Sequence, residues 1–267
     1  MDQTTTFRHF LYSPSVYHSD REFQSDTYSL FKHGCVPSTA FFARFLAKKV
    51  ASLVEGLDNP VITSSAYMHV PNAAGLLLDS MMEVDAIKSL ERIHLHRERI
   101  FPFDYARLTL TERELHMKQF PIQFEKEKIR NRTVIVIDDA CVTGAHERAL
   151  RDHLAPYAKC LIFCYIVNLT NFTATTEHEI NAVRMKSLMD LLPLMKQTGY
   201  RLNTRVRKTI FTASLEEFTL FASCLSAHQL DAILELATAD HLDQLSADFK
   251  QKMELLQEAQ HGMVEVY

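Results

Sequence analysis

Two adjacent acids, Asp138 and Asp139, follow a run of five uncharged β-forming residues, Thr133 to Ile137. Such a run predicts a strand that is buried on both faces of a sheet. Because desolvating two neighbouring carboxylates in a core costs several kcal/mol, we expect the acids at the strand's carboxyl end, in a wet or liganded cleft. There they can bind hydroxyl groups or a metal ion.

A short turn that contains a glycine, Ala140 to Gly144, comes directly after the acids, and Ala145 to Leu150 has the pattern of a helix start. Backbone N–H groups of such a turn attract phosphate, and the helix dipole adds to that attraction. The acids and the turn together therefore predict an anion site beside a hydroxyl or metal site. The structural alternative is a strand that ends in a solvated Asp–Asp turn with a helix cap.

The stretch Thr133–His146 resembles the signature with which type I phosphoribosyltransferases bind 5-phosphoribosyl-1-pyrophosphate (PRPP). That signature has four aliphatic residues, two acids, two mostly apolar residues and a hydroxyl-rich turn, which Thr143–Gly144–Ala145 matches. Two positions depart from it. Val142 stands where many members have Thr and purine-salvage members have Asp, and His146 stands where a Thr usually contacts the phosphate.

This resemblance implies an enzyme that transfers ribose 5-phosphate between PRPP and a nitrogenous base through a cation-like ribosyl transition state. Asp138 and Asp139 would be the catalytic residues and would hold Mg²⁺, directly or indirectly. Val142 argues against a standard hypoxanthine-guanine enzyme, since it cannot be the acid that purine-salvage members offer to the base. A non-catalytic PRPP-binding regulator on the same fold is the alternative. The residues expected around the 5′-phosphate are Cys141, Val142, Thr143, Gly144, Ala145 and His146.

Two other classes of protein also place acids after an apolar strand. In response regulators the acidic pair lies near the start of the chain and lacks a turn like Thr143–Gly144. A phosphatase of the dehalogenase type needs a second Asp two residues after its nucleophile, and counting from Asp138 that position is Ala140. Neither class fits this stretch as well.

A second strand–turn–helix unit lies earlier in the chain, with a strand predicted from Val61 to Tyr67 and a helix from Ala73 to Met82. Its connection has the position of the family's pyrophosphate loop, which follows the first core strand. The resemblance therefore implies a loop that binds diphosphate through backbone N–H groups. An ordinary connection is the alternative. The residues of the expected loop are Ala66, Tyr67, Met68 and His69.

The next strand is predicted within Ala86 to His96. The interval after it, Arg97 to Arg132, is long, polar and interrupted by Pro102 and Pro121. Long intervals of this kind are typical of functional or mobile loops. Type I phosphoribosyltransferases have a closing loop here, and such a lid excludes water that would hydrolyse the cation-like sugar. Each basic residue in it is also typical of a solvated surface. The lid candidates for diphosphate contact are Arg97, Arg99 and Lys118.

Alternating strands and helices predict an α/β fold over residues 35–170, with a parallel sheet flanked by helices like the type I phosphoribosyltransferase core. Residues 1–34 are rich in aromatic side chains and predict an arm that packs on the core or serves as a hood over a ligand base. Residues 171–267 have helical spacing and predict a helical subdomain, as part of the hood or as a dimer surface. A fainter resemblance to phosphoribosyltransferase-like proteins of bacterial tellurite and stress operons rests on Tyr28–Gly34, Thr63–Tyr67 and Val70–Ala74.

Composition bounds the partners. A formal net charge of −4 gives no field for nucleic acid, and the longest apolar run, Leu161 to Val167, is too short to span a bilayer. Met1 to Thr4 lacks the features of a signal peptide, so a cytoplasmic protein is expected. Five cysteines without a C-x-x-C pair indicate neither a disulfide framework nor a zinc site. The expected partners are PRPP and a nucleobase-like acceptor, and the family is commonly homodimeric.

Overall fold

The computed structural model describes residues 4–14, 23–98, 121–173 and 175–264. Its strands are β1 Thr5–Tyr12, β2 Val61–Ser64, β3 Glu91–Arg92, β4 His96–Arg97, β5 Ile122–Gln123, β6 Thr133–Cys141 and β7 Cys160–Asn168. In this part of the chain one sheet has the order β1-β7-β6-β2-β3, with every neighbouring pair parallel. Strands β4 and β5 form a separate antiparallel pair.

The helices fall into a group that packs on the sheet and a group that follows it. The first group is α1 Ser25–Lys32, α2 Val36–Val54, α3 Ala73–Met82, α4 Lys126–Ile129 and α5 Ala145–Leu154. The second is α6 Thr176–Asn181, α7 Leu192–Met195, α8 Thr204–Thr212, α9 Leu215–Ser223, α10 Ala227–Ala239 and α11 Ala247–Val264, with 3-10 turns at Leu188–Leu191 and Leu242–Gln244.

Strand β6 lies in the middle of the sheet and is buried on both faces, as its uncharged sequence predicts. Successive side chains of a strand point to opposite faces, so Ile135 and Ile137 enter one apolar cluster and Val134 and Val136 enter another. Helices α2 and α3 cover the first cluster, and α5 covers the second with Leu150. The predicted α/β fold, a parallel sheet flanked by helices, is confirmed.

The first 34 residues, predicted as an arm, differ from that prediction in their relation to the sheet. Strand β1 pairs in parallel with β7, so the segment is the edge strand of the central sheet. The ring of Phe10 stacks on Tyr165 of β7 at 5.3 Å between centroids, which gives this half-polar sequence a reason to pair. After a segment outside the described residues, α1 packs its rings against α2, where Phe31 and Phe42 lie 5.5 Å apart.

The second group of helices has an apolar core of its own, in which Phe211, Phe218 and Phe221 are almost completely buried. Helix α9 begins with a side-chain cap: the Ser214 hydroxyl accepts a hydrogen bond from the Glu217 N–H at 3.2 Å. The predicted helical C-terminal region is confirmed, while the domain boundaries at 34 and 170 stay a prediction. Among the described residues no helix has the length and apolar character needed to cross a membrane.

Candidate functional site

Asp138 and Asp139 lie in the last four residues of β6, which extend beyond the end of β2, stay paired with β7 and line a cleft. Both are nearly buried, with 7% and 8% of their surface exposed. Gly144 then takes a positive φ of 67°, a conformation that costs glycine little, and α5 begins at the next residue. The strand, the acids, the turn and the helix start therefore follow one another as predicted.

The carboxylate of Asp138 is fixed by two hydrogen bonds. Its Oδ1 accepts from the Asp139 N–H at 2.9 Å, and its Oδ2 lies 3.1 Å from Nδ1 of His146. Burial raises the pKa of Asp138, but the charge of His146 and its hydrogen bond outweigh burial and hold the pKa below its ordinary value. Asp138 is therefore an ionised acceptor at neutral pH.

Asp139 is bound by a lysine from another part of the chain. Its Oδ1 accepts from the Ala140 N–H at 2.8 Å, and its Oδ2 forms an ion pair with Nζ of Lys32 at the end of α1. The same ammonium group donates to Oε1 of Glu177, on α6, at 3.0 Å. Burial is the main cause that raises the pKa of Asp139, to about 6: the charge of Lys32 opposes the shift, and those of Asp138 and Glu177 add to it.

The turn after the acids is open to a ligand. The N–H groups of Val142, Thr143 and Gly144 find no acceptor among the described residues. The turn is braced from the helix side instead, since Arg148 donates to the Thr143 carbonyl at 3.1 Å and the Ala145 N–H donates to Thr143 Oγ1 at 3.3 Å. Free N–H groups that point from a turn and a helix start suit a phosphate.

One cleft joins the acids to this turn. Its lining includes every residue predicted for catalysis and for the 5′-phosphate, that is Asp138, Asp139, Cys141, Val142, Thr143, Gly144, Ala145 and His146. Within the described residues, Nε2 of His146 is buried and has no hydrogen-bond partner. With Nδ1 donating to Asp138, that nitrogen accepts from a ligand when the ring is neutral and donates when it is protonated.

Glu147 supports the cleft from behind, although it was not singled out in the sequence. Its carboxylate accepts from Nε of Arg8, on β1, at 2.9 and 2.7 Å, and from the Tyr165 hydroxyl, on β7, at 2.9 Å. Only 2% of Glu147 is exposed. This network ties the start of α5 to two strands and so fixes the position of the turn.

Cys141 also lines the cleft, but its chemistry is that of a buried thiol. Burial raises its pKa to about 11, and the nearby charge of Glu147 adds to the shift. The group is therefore a neutral thiol at pH 7 and a poor nucleophile. The sulfur fills a small apolar position in the turn.

The loop predicted to bind diphosphate, Ala66 to His69, does follow β2 at the same edge of the sheet. Two of its four N–H groups, however, have partners inside the protein, whereas those of Ala66 and Met68 find no acceptor among the described residues. The Tyr67 N–H donates to the Leu95 carbonyl at 3.3 Å. The N–H groups of His69 and Val70 both point at Oδ1 of Asp240, at 3.3 and 3.4 Å.

Asp240 comes from the end of α10 and is itself buried, with 2% of its surface exposed. Its Oδ2 forms an ion pair with Arg207 of α8, of which 5% is exposed. An internal carboxylate thus occupies the last amide of the loop that the resemblance assigns to diphosphate and the amide of the next residue, Val70. That role of the loop stays a prediction, and we call the loop closed because an internal anion lies at this end of it.

The three lid candidates divide between described and undescribed residues. Arg97 lies in β4 with 9% of its surface exposed, and its N–H donates to the Tyr67 carbonyl at 3.0 Å. It is therefore next to the loop after β2. Arg99 and Lys118 lie outside the described residues.

The residues around the acids do not fit a magnesium ion held directly by the protein. Each of the four oxygens of Asp138 and Asp139 already accepts one hydrogen bond or ion pair, and at Asp139 the position of a cation is taken by the ammonium group of Lys32. Nor do the described residues contain any group of three His, Cys, Asp or Glu arranged to bind a metal ion. The predicted dependence on Mg²⁺ stays a prediction.

The family described as "PRTase ComF-like" matches residues 11–256, which include the acidic pair, the turn and most of the C-terminal helices. No protein of curated function matches the sequence.

Two solved structures of a hypoxanthine phosphoribosyltransferase from Staphylococcus aureus, in orthorhombic and tetragonal crystals, are similar to this chain. The first is 10% identical, with a TM-score of 0.32, and the match covers 48% of this chain and 64% of that one. The second is 12% identical, with a TM-score of 0.34 and coverage of 51% and 67%. The chain thus spans less than two thirds of the length of the first structure.

Proposed function

The chain belongs to the family of ComF-like phosphoribosyltransferases, and on that premise we propose that it transfers ribose 5-phosphate between PRPP and a nitrogenous base. The observation that supports this most is the cleft in which the acidic pair and the open turn lie side by side. A ribose 5-phosphate group has hydroxyls at one end and a phosphate at the other, which matches these two parts of the cleft.

In this proposal the turn binds the 5′-phosphate. The N–H groups of Val142, Thr143 and Gly144 donate to its oxygens, and the start of α5 adds a favourable dipole. His146 approaches the same ligand with Nε2, whose role follows the protonation of the ring. This grip orients the sugar without taking part in the bond changes.

Asp138 and Asp139 accept hydrogen bonds from the ribose 2′- and 3′-hydroxyls. Their charge also favours the transition state, because positive charge builds on the sugar ring while diphosphate leaves C1. We place any magnesium ion on the diphosphate of the substrate rather than on these two carboxylates, since Lys32 already supplies a cation at Asp139 and each oxygen, with one partner in the protein, still has a lone pair for a hydroxyl group. The acceptor base, a closing lid and a homodimer are carried over as predictions from the family.

A non-catalytic PRPP-binding regulator is the second candidate. The contact that favours it is Asp240 on the N–H groups of His69 and Val70, because a closed diphosphate loop suits a protein that binds ligand without releasing diphosphate. The open cleft after β6 serves both candidates equally.

The decisive experiment compares the wild-type chain with a double variant, Asp138→Asn with Asp139→Asn. PRPP binding is measured by calorimetry, and PRPP consumption is followed by ³¹P NMR with Mg²⁺ and a panel of bases. We expect the double variant to stay folded and to lose both binding and turnover. The matched control is Asp152→Asn, an exposed acid on α5, which should behave as wild type.

Each outcome decides between the candidates. Consumption by the wild type that the double variant loses supports the transferase. Binding without consumption of PRPP for any base favours the regulator. Undiminished activity or binding in the double variant refutes the assignment of the acidic pair, and a wild type that does not bind PRPP refutes both candidates.

A further inference from the structure

Lys32 is a buried cation that bridges two acids of the cleft. Its Nζ contacts Oδ2 of Asp139 and lies 3.0 Å from Oε1 of Glu177, and only 7% of the residue is exposed. The face of the Tyr28 ring lies 5.9 Å from the same ammonium group. Because a buried charge is retained only when partners compensate for its lost hydration, these contacts fix the ammonium in one place.

Both sides of this bridge are anchored by other contacts. The Lys32 carbonyl accepts from Nδ2 of Asn203, a fully buried residue that caps α8. On the other side, the Ser29 hydroxyl donates to the Asn181 carbonyl of α6 at 2.7 Å, which holds α6 against α1. The lysine and Glu177 are thus parts of the packed core and not flexible surface groups.

Three carboxylates line this part of the cleft, namely Asp138, Asp139 and Glu177. The three are not arranged as a metal site, but two of them, Asp139 and Glu177, meet at one position that a cation occupies. Carboxylate oxygens on two sides of one position suit a divalent cation whose other ligands are water. Here Lys32 supplies the positive charge, and its Nζ contacts one oxygen of Asp139 and one oxygen of Glu177. A magnesium ion needs such oxygens at about 2.1 Å, so it cannot share this position with the ammonium.

We propose that Lys32 is the resident cation of this site, and that its ammonium holds Asp139 and Glu177 in the place where a divalent ion would otherwise be needed. Lys32 is then a positioning residue, because it acts on the ligand through Asp139. The acidic pair binds sugar hydroxyls without a metal ion held by the protein. This last consequence rests on the proposed function, whereas the cation role of Lys32 does not.

The first test needs no sugar ligand. Mn²⁺, whose electron paramagnetic resonance signal reports the free ion, is titrated into the unliganded full-length chain. We expect no binding at the acids in the wild type, and one Mn²⁺ per chain in Lys32→Met with a Kd below about 1 mM, the weak end of protein sites for divalent cations. The double variant Lys32→Met with Asp139→Asn should lose that affinity at least tenfold.

Lys48→Met is the matched control, because Lys48 is an exposed lysine on the neighbouring helix α2. It should bind no Mn²⁺. Circular dichroism and the melting temperature establish that each variant is folded, and Lys32→Gln replaces Lys32→Met should the latter fail to fold. The proposal is overturned by Mn²⁺ binding to the wild type that Asp139→Asn abolishes, or by folded Lys32 variants that bind no Mn²⁺.

The second test measures ribose 5-phosphate binding by calorimetry, with EDTA and then with Mg²⁺. In the wild type the affinity should change less than twofold between the two conditions. In Lys32→Met it should fall at least tenfold with EDTA and recover with Mg²⁺, a gain of metal dependence that simple loss of packing would not produce. A wild type that binds only with a divalent ion overturns the proposal. A wild type that never binds the sugar refutes the proposed function. The Mn²⁺ titration then still tests whether Lys32 is the cation of the site.

Discussion

Two loops leave the same edge of one parallel sheet and differ in what their backbone N–H groups contact. After β6, the N–H groups of Val142 to Gly144 find no acceptor among the described residues. After β2, those of Tyr67, His69 and Val70 donate to a carbonyl and to a carboxylate of the protein itself. The topology that favours ligand binding is the same for both loops, so topology alone does not decide which loop is open.

The difference comes from the buried acid that packs behind each loop. Glu147 binds side chains only, from Arg8 and Tyr165, and so braces the loop after β6 without using its amides. Asp240 reaches the amides of the loop after β2 and is held there by Arg207. A strand-end loop is therefore available to an anion only when no internal anion reaches it first.

The largest effect is expected from Asp240→Ala, which removes the internal anion. Arg207 would be left as a buried charge without its partner, and losses of this kind cost about 3–5 kcal/mol of unfolding free energy. Urea unfolding measures the loss. Pyrophosphate should then raise the melting temperature of the variant more than that of the wild type, since it supplies an anion to the emptied position.

Asp243→Ala is the control for this change. Asp243 is an exposed acid three residues further on, and its removal should alter the unfolding free energy by no more than about 0.5 kcal/mol. Equal stability of the Asp240 and Asp243 variants would show that Asp240 does not hold the loop. A pyrophosphate response no larger than in the wild type would show that the loop is not an anion site.

The closed loop also marks where prediction from sequence ends. The strand, its acids, the turn and the helix start are local, and their order along the chain predicts the cleft after β6 and the central position of that strand. Asp240 is 171 residues from His69 along the chain, and nothing in either segment indicates that they meet. Local pattern predicts what a loop can do, and packing from distant segments decides whether it is free.

The same limit applies to the residues around the acids. Lys32 lies 107 residues from Asp139, and Glu177 comes from a helix of six residues beyond the predicted core. The segment Tyr28 to Gly34 carries a family resemblance, but no spacing rule connects Lys32 within it to the acidic pair. The edge strand β1 was missed for another reason: its sequence is rich in rings and half polar, which predicts an extended segment without predicting its partner.

A smaller loss of unfolding free energy is expected from Glu147→Ala, which removes the side chain that supports the open loop. The Tyr165 hydroxyl would stay buried without a partner, at a cost of about 2 kcal/mol in unfolding free energy. The effect is smaller than for Asp240 because 47% of the Arg8 side chain is exposed and water can solvate it. Asp152→Ala, on the same helix but exposed, should change stability by less than about 0.5 kcal/mol.

Which of Glu147→Ala and Asp240→Ala is more destabilising tests the comparison of the two loops directly. If Glu147→Ala is more destabilising than Asp240→Ala, the open loop depends more on its brace than the closed loop does on its anion, and the contrast drawn between them is wrong.

Gly144→Ala tests the backbone conformation of the open loop and should destabilise the protein less than the loss of either buried acid. Gly144 has a φ of +67°, and an added Cβ would lie 3.2 Å from Nη1 of Arg148. We expect a loss of about 1–2 kcal/mol from the positive φ and a further loss of about tenfold in ribose 5-phosphate affinity, measured by calorimetry, because the bracing arginine must move.

Gly56→Ala is the matched control for the backbone strain. Gly56 has a φ of +79° after α2, and a Cβ there would meet nothing within 4 Å. It should lose similar stability while keeping the affinity for ribose 5-phosphate. Equal affinity in the two variants would mean that the turn is not part of the phosphate site.

The last prediction needs no substitution and so leaves stability unchanged. It uses alkylation of Cys141 as a reporter of the open loop. Because its pKa is raised to about 11, the thiolate fraction at pH 8 is small and grows about tenfold per pH unit until the pH approaches 11. Alkylation by iodoacetamide, followed by mass spectrometry, should therefore be slow at pH 8 and should accelerate as the pH rises. The exposed Cys224 is the internal reference.

Ligand occupancy gives the same reporter its second use. Ribose 5-phosphate bound in the cleft covers the lining of the turn, so it should slow alkylation of Cys141 and leave Cys224 unchanged. Pyrophosphate, which carries no ribose hydroxyls and for which the loop after β2 is the predicted site, should protect Cys141 less. Rapid labelling of Cys141 at pH 8 would contradict the raised pKa of its thiol. Equal protection by both ligands would contradict the assignment of the phosphate end of the sugar to the loop after β6.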